Sequence, residues 1–151
     1  MNHADVKKHT RESMNVLKID DPAASSTYGK EFYKFMFQKA PNLRQFFKGA
    51  ENITSEEVET SERFAKQGLR QMTAIHVLAA CYDDQPTFLA YTRELANRHV
   101  NYNVPDATFE EFFPIWIEYL SSKGLTSEAK TAWTQLGKTF TEEFRKQLKS
   151  H

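Results

Sequence analysis

The residues best suited to bind a ligand or a metal are a histidine and two glutamines on two consecutive predicted helices. Gln67 and Gln71 stand four residues apart, and His99 ends the helical segment that follows them. Residues four apart lie on the same face of a helix, so both amides face one side. A neutral imidazole can bind iron, copper or zinc, and an amide N–H can donate a hydrogen bond. The two helices therefore carry suitable residues for holding a flat, metal-containing ligand between them.

The rest of the sequence restricts the kind of metal site. A structural zinc ion takes about four protein ligands, and neither Cys81 nor the scattered carboxylates show ligand spacing with His99. A porphyrin supplies four ligands itself and needs one axial histidine and an apolar slot, which the 12 phenylalanines would suit. From the residues alone another interpretation stays open, because a histidine at a helix C-terminus beside Arg98 is more often a surface residue that compensates the helix dipole.

Length, charge and cysteine content narrow the class of protein. The 151 residues are enough for a single domain, 1–151, that buries about two thirds of its unfolded surface. Twenty basic residues balance twenty acidic ones, so no net charge favours binding to nucleic acid or to a membrane surface. The lone Cys81 and the lack of a signal-like or transmembrane run predict a cytoplasmic protein. An extracellular location, in which the Asn52-Ile53-Thr54 sequon would matter, applies if an original signal peptide is missing from the sequence.

The elements that position these residues are predicted to be helices throughout. Five glycines and five prolines lie mostly between segments, and no alternating run is long enough to pair as strands. The sequence therefore predicts an all-α fold of about seven to eight helices. The long predicted helices run from about 5 to 18, from Ser25 or Ser26 to Pro41, from the approach at Thr54 to about 82, from about Pro86 to His99, from 105 to before Gly124, and from about 127 to 149.

Capping and breaking residues set several of these boundaries. Thr54 and Glu57 have the spacing of a capping box, and Asp84 can cap the helix that Pro86 opens. The run from Asp20 to Pro22 ends the first helix. Pro114 lies inside the predicted helix that begins at 105, and its missing amide donor predicts a kink or a local break.

The order of several residues over essentially the whole chain resembles the globin family. The segments 42–49, 63–68, 91–95, 98–99 and 132–137 resemble nematode globins in particular. The resemblance implies a globin fold and a bound haem b, that is, iron protoporphyrin IX. The ordered positions that carry it are Tyr33, Pro41, Phe47, Gln67, Leu95, His99 and Trp133.

The resemblance also implies which residues bind the haem. His99 would be the proximal ligand of the iron, and Leu95 would pack under the ring one turn earlier. Phe47 would stack against the haem at a position where the family nearly always has phenylalanine. Arg70 would reach a propionate at the pocket edge, although a solvated arginine is equally consistent with the sequence. Val104 is assigned to the same set of haem contacts.

On the distal side the resemblance implies that Tyr33 and Gln67 donate hydrogen bonds to oxygen and give high affinity. Carbon monoxide is less polar and would gain less. Gln71 departs from the family, which usually has an aliphatic residue there. It could donate a third hydrogen bond, hold Gln67 or Tyr33 in place, crowd the ligand, or lie at the pocket edge. Because a buried unpaired amide costs about 1–3 kcal/mol, we expect Gln71 to have a partner.

The function implied by the resemblance is reversible binding of oxygen and other diatomic gases, for storage or local delivery, by a monomer or homodimer. An enzyme is the main alternative, either a nitric oxide dioxygenase or a peroxidase-like protein. Sustained turnover would need electrons from a partner, and the sequence has no recognisable flavin- or nicotinamide-binding segment. A gas or redox sensor and a helical interaction module without cofactor are the remaining classes. From the residues alone, a tyrosine such as Tyr33 is more often a core residue, and a glutamine on a helix face such as Gln67 is usually solvated.

Overall fold

The computed structural model of the protein describes residues 1–17 and 21–151. Within these ranges the chain forms seven α-helices, joined in places by short 3₁₀-helices, and no β-strand. The predicted all-α fold is confirmed. The α-helices are α1 His3–Ser13, α2 Pro22–Lys39, α3 Ser55–Glu59, α4 Glu62–Ala80, α5 Gln85–His99, α6 Phe112–Ser121 and α7 Ser127–Lys149, and the 3₁₀-helices are Met14–Leu17, Pro41–Phe46, Val100–Tyr102 and Asp106–Glu111. None of the described helices is both long and apolar enough to span a bilayer.

The chain divides into two compact units. The larger unit consists of Met1–Ser13 and His76–His151, and the smaller unit is Met14–Ile75. In the larger unit α7 packs against α1, α5 and α6. Several aromatic side chains of α6 and α7 are buried there, among them Phe113, Trp116, Trp133, Phe140 and Phe144.

Trp133 joins three helices of the larger unit. Its ring stacks on Phe113 with 6.3 Å between the centroids and meets Trp116 edge-on at 5.6 Å. Its Nε1 donates a hydrogen bond to Ser13 Oγ at 2.8 Å, which satisfies a fully buried indole N–H at the end of α1. These contacts fix the start and the end of the chain around a common core.

Four predicted helix boundaries are wrong. Asp21, rather than Ser25 or Ser26, caps α2, because its carboxylate accepts from the amides of Ala23 and Ala24 and Pro22 suits the first helical position. Helix α1 ends at Ser13 and passes into the 3₁₀-helix that ends at Leu17. Lys18 and Asp20, where we placed the end of the first helix, lie outside the described residues.

The third wrong boundary concerns the approach to α4. The capping box is present, since Thr54 Oγ1 accepts from the Glu57 amide and Glu57 Oε1 accepts from the Thr54 amide. The helix that it opens is the short α3, which ends at Glu59. A second cap then starts α4, because Ser61 Oγ accepts from the Phe64 amide at 3.2 Å. The predicted single helix is therefore two.

The predicted helix around Pro114 also begins later than expected. The chain is 3₁₀-helical over Asp106–Glu111 and becomes α-helical at Phe112. Pro114 thus lies in the first turn of α6, where amides have no partner within the helix, so its missing N–H costs no helical hydrogen bond. The local break that Pro114 predicts is present, and it lies just before the proline.

Candidate functional site

His99 is the last residue of α5 and its imidazole is held by its own helix. The helix begins after Asp84, whose side chain accepts from the Thr87 amide as predicted, and Pro86 occupies its first turn. At the other end, His99 Nδ1 lies 2.7 Å from the carbonyl oxygen of Leu95. Because a carbonyl only accepts, Nδ1 carries the proton and donates, which leaves the lone pair on Nε2. Histidines that bind a metal commonly donate their other ring N–H to a backbone carbonyl in this way.

Three aromatic rings surround the half-buried His99 in the larger unit. Tyr102, Phe109 and Phe144 meet the imidazole edge-on, with centroid distances of 5.6, 5.6 and 5.4 Å. Burial in this apolar surrounding lowers the pKa of His99 below its ordinary value, against the opposing effect of the Leu95 carbonyl, and the nearby charge of Arg98 lowers the pKa further. The imidazole is therefore neutral at physiological pH and suited to bind a metal.

Sequence reasoning missed these three rings as part of the site. Tyr102 and Phe109 lie in 3₁₀-helices after α5, and Phe144 lies far along the chain in α7. Asn103 lies between the first two in the left-handed conformation, with φ of 55°, which asparagine tolerates better than most residues. The half-buried Val104 follows this turn. A signal was present, since Phe144 falls on the buried face of α7.

In the smaller unit Tyr33 lies in a cluster of aromatic rings, which we call the Tyr33 cluster and which consists of Tyr33, Phe37, Phe47 and Phe64. The Tyr33 ring is 6.0, 5.6 and 5.3 Å from the rings of Phe37, Phe47 and Phe64. Phe47 also meets Phe37 and Phe64 at 5.4 and 5.7 Å. The structure thus brings together Phe47 and Tyr33, two predicted site residues from different elements.

Gln67 completes the polar part of the Tyr33 cluster. Its Nε2 donates to the Tyr33 hydroxyl oxygen at 3.3 Å, which leaves the phenol proton and the second amide N–H available for another acceptor. Burial raises the pKa of Tyr33 to about 12, and the bond from Gln67 only partly opposes this. The hydroxyl therefore stays protonated across the physiological range. This arrangement can donate hydrogen bonds to a small polar ligand.

Two glycines explain how α2 and α4 bring Tyr33 and Gln67 together. A Cβ built on Gly68 would lie 2.5 Å from Gly29 Cα, and one built on Gly29 would lie 2.3 Å from Gly68 Cα. Only glycine allows the two backbones to approach so closely. Tyr33 is one turn beyond Gly29, and Gln67 precedes Gly68. Sequence reasoning missed both glycines, although their positions inside predicted helices were a signal.

The two remaining predicted residues on α4 lie in different surroundings. Arg70 is exposed, and its role as a propionate partner stays a prediction. Gln71 is half-buried, with both Nε2 and Oε1 shielded from solvent, and neither atom has a hydrogen-bond partner among the described residues. The described residues thus do not supply the hydrogen-bond partner that we expected for Gln71. An amide buried in this way costs about 1–3 kcal/mol relative to a satisfied one.

Comparison with known proteins gives consistent results. The family model described as Globin matches residues 30–144. A globin of Nippostrongylus brasiliensis described as a cuticular isoform is 45% identical, with 98% of this chain and 86% of that protein covered. The myoglobin of the same organism is 40% identical, with 98% and 96% covered. The solved structure of a globin-like protein from Caenorhabditis elegans is 38% identical, has a TM-score of 0.94 and covers 99% of this chain and 96% of its own.

Proposed function

The chain belongs to the globin family, and on that basis we propose that it is a haem protein that binds oxygen reversibly. Two relatives named myoglobin, from Nippostrongylus brasiliensis and Ascaris suum, support this proposal. The observation that carries it is the neutral imidazole of His99, whose Nδ1 is tied to Leu95. The group that such an imidazole fits is haem b, which supplies an iron held by four ring nitrogens, with one position for a protein ligand and one for a gas.

His99 and the residues around it fit the part of such a group that a protein ligand would bind. The Nε2 lone pair of His99 would bind the iron, and the Leu95 carbonyl would hold the imidazole in the orientation and tautomer that this requires. Burial of the imidazole, against the rings of Phe109 and Phe144 among others, lowers its pKa and so favours the neutral form that binds a metal. We assign Leu95 to the ring contact predicted by the family pattern.

The other predicted haem contacts are also part of the proposal. Phe47 offers an apolar ring for stacking, and its contact with Tyr33 supports a place beside the gas-binding residues. Val104 follows the left-handed turn at Asn103 and is half-buried, which is consistent with an apolar contact to the haem. Arg70 is exposed on α4 and would reach a propionate from the solvent side.

For the gas, we assign hydrogen-bond donation to Tyr33 and Gln67. Tyr33 keeps its proton, and Gln67 keeps a second N–H beyond the one given to the Tyr33 oxygen. A net contribution of about 1 kcal/mol from each donor corresponds to roughly fivefold in affinity, and most of it appears as slower release. Two donors that act independently would raise oxygen affinity roughly thirtyfold. Such tight binding suits storage or local delivery.

The test is the optical spectrum of the purified protein supplied with haem, before and after reduction under carbon monoxide. We expect a Soret band in the wild type, its loss or displacement in His99→Ala, and recovery when imidazole is added. His76→Ala is the matched control, because His76 is an exposed histidine of α4 and its loss should leave the band unchanged.

Two results would refute the proposal. One is the absence of a Soret band in the wild type with haem, and the other is an unchanged band in His99→Ala without imidazole. Consumption of nitric oxide over many turnovers with a reductant would instead replace storage by the enzymatic alternative.

A further inference from the structure

Gln71 is the one predicted site residue whose polar atoms the described protein leaves unsatisfied. Both Nε2 and Oε1 are shielded from solvent and have no hydrogen-bond partner among the described residues. The helical register places Gln71 about 40° from Gln67 around the axis of α4. Buried Phe64 and Ile75 lie within about 40° of Gln71 around the same axis. Both polar atoms of the amide are therefore on the protein side of α4 and away from solvent.

The hydrogen bonds of the neighbouring residues disfavour one of the alternatives for Gln71. The Tyr33 hydroxyl oxygen accepts from Gln67, not from Gln71. Since Gln71 bonds to neither of them, it does not hold the Tyr33–Gln67 pair in place. An aliphatic side chain of similar size would avoid the burial of a carboxamide altogether. A polar ligand that enters the site would supply the hydrogen-bond partner that the buried amide of Gln71 lacks within the protein.

We propose that Gln71 is a selectivity-determining residue whose Nε2 donates a hydrogen bond to the bound gas and so favours oxygen over carbon monoxide. This inference rests on the proposed function, because the gas is the partner. Oxygen gains negative charge on binding and accepts hydrogen bonds well, whereas carbon monoxide stays much less polar. Gln71 thus adds a donor beyond Tyr33 and Gln67.

The main experiment compares the release of the two gases from the haem-loaded wild type and Gln71→Leu. We expect oxygen dissociation to become about fivefold to tenfold faster, and carbon monoxide dissociation to change by less than about twofold. Gln71→Met keeps the length of the side chain and should give the same result. Met72→Leu is the matched control, since Met72 is buried next to Gln71 but has no donor, and it should affect both gases alike.

Two further measurements separate hydrogen bonding from packing. The infrared stretch of bound carbon monoxide should move to higher wavenumber in Gln71→Leu and Gln71→Met, because a positive donor beside the gas is lost. Urea unfolding of the reduced, full-length haem protein under nitrogen should show a midpoint equal to or above that of the wild type in both variants. A clear decrease in both midpoints would show that the amide has a protein partner and would overturn the inference.

The outcomes distinguish this inference from the proposed function. If the wild type binds haem and both gases, but oxygen and carbon monoxide release change by the same factor in Gln71→Leu and Gln71→Met, the selectivity role is refuted and the haem function stands. If the wild type shows no Soret band with haem, the proposed function itself fails.

Discussion

Replacing Tyr33 by phenylalanine separates the effect of the hydroxyl from that of the ring. The ring contacts with Phe37, Phe47 and Phe64, at 5.3 to 6.0 Å between centroids, do not involve the hydroxyl and should persist. The bond lost within the protein is the one from Gln67 Nε2, and at 3.3 Å it is long for a hydrogen bond. We therefore expect a loss in unfolding free energy of no more than about 1 kcal/mol.

The effect of Tyr33→Phe on gas binding should be larger than its effect on folding. The phenol oxygen of Tyr33 is the acceptor in the bond with Gln67, so the phenol proton takes no part in that bond. This proton is therefore free to be donated to oxygen. Loss of a donor worth about 1 to 1.4 kcal/mol accelerates oxygen release about fivefold to tenfold. Carbon monoxide accepts weakly, and its release should change by less than about twofold.

The assay is stopped-flow displacement of oxygen by excess carbon monoxide, together with displacement of carbon monoxide by nitric oxide. Tyr82→Phe is the control, because Tyr82 is also buried and also loses a hydroxyl bond, with Thr139 Oγ1 at 2.9 Å, but it is not a candidate site residue. It should lower stability and leave both release rates unchanged. Equal acceleration of both gases in Tyr33→Phe would refute hydrogen bonding by Tyr33.

Three further predictions concern the framework of the site. Gly68→Ala places a Cβ 2.5 Å from Gly29 Cα, so α2 and α4 must separate; we expect urea unfolding to show a loss of about 1–3 kcal/mol, and oxygen release to accelerate as Tyr33 and Gln67 move apart. Ser13→Ala leaves the buried Trp133 N–H without its acceptor, and thermal unfolding should show a cost of about 1–3 kcal/mol. Arg145 holds the pKa of Asp106 below its ordinary value. The Asp106 carboxylate therefore stabilises the folded protein at any pH above the pKa that Asp106 has in the unfolded chain. This stabilisation is lost as the pH falls through the lower pKa that Asp106 has in the folded protein. Asp106→Asn should therefore be less stable than the wild type at neutral pH, with a difference that shrinks in acid and in high salt.

The helix ends that were predicted correctly are those with a local signal. Helix α5 ends at His99 and α7 runs from Ser127 to Lys149, as predicted, because their caps and apolar spacing lie within one continuous segment. The break between α3 and α4 was missed because Ser61 repeats the capping chemistry of Thr54 a few residues later. A pattern of apolar residues continues across such a break and does not reveal it.

The site itself was predictable only in part. The position of His99 relative to Leu95 follows from helical spacing, but the bond from Nδ1 uses the Leu95 carbonyl rather than its side chain, and spacing does not determine ring orientation. The rings around His99 come from three separate elements, and the contact between Tyr33 and Gln67 joins residues 34 positions apart. Contacts of this kind depend on the angles and distances at which helices cross. In a sequence these are visible only in single residues that are easily overlooked.

Gly29 and Gly68 are such residues, and they link the stability of the smaller unit to its chemistry. Their close approach sets the distance at which Gln67 reaches Tyr33, and because Gln67 donates in that bond, the Tyr33 proton and the second amide N–H of Gln67 both stay free. On the proposed function, a Cβ at either glycine would therefore change the donors available to a gas while Tyr33 and Gln67 themselves stay the same residues. The same helix also carries Gln71, whose buried amide has no hydrogen-bond partner among the described residues, and burial without a partner costs stability. If these residues bind the gas as we propose, backbone spacing and a buried polar side chain together set ligand preference, and in the sequence both are visible only as departures from a regular helical pattern.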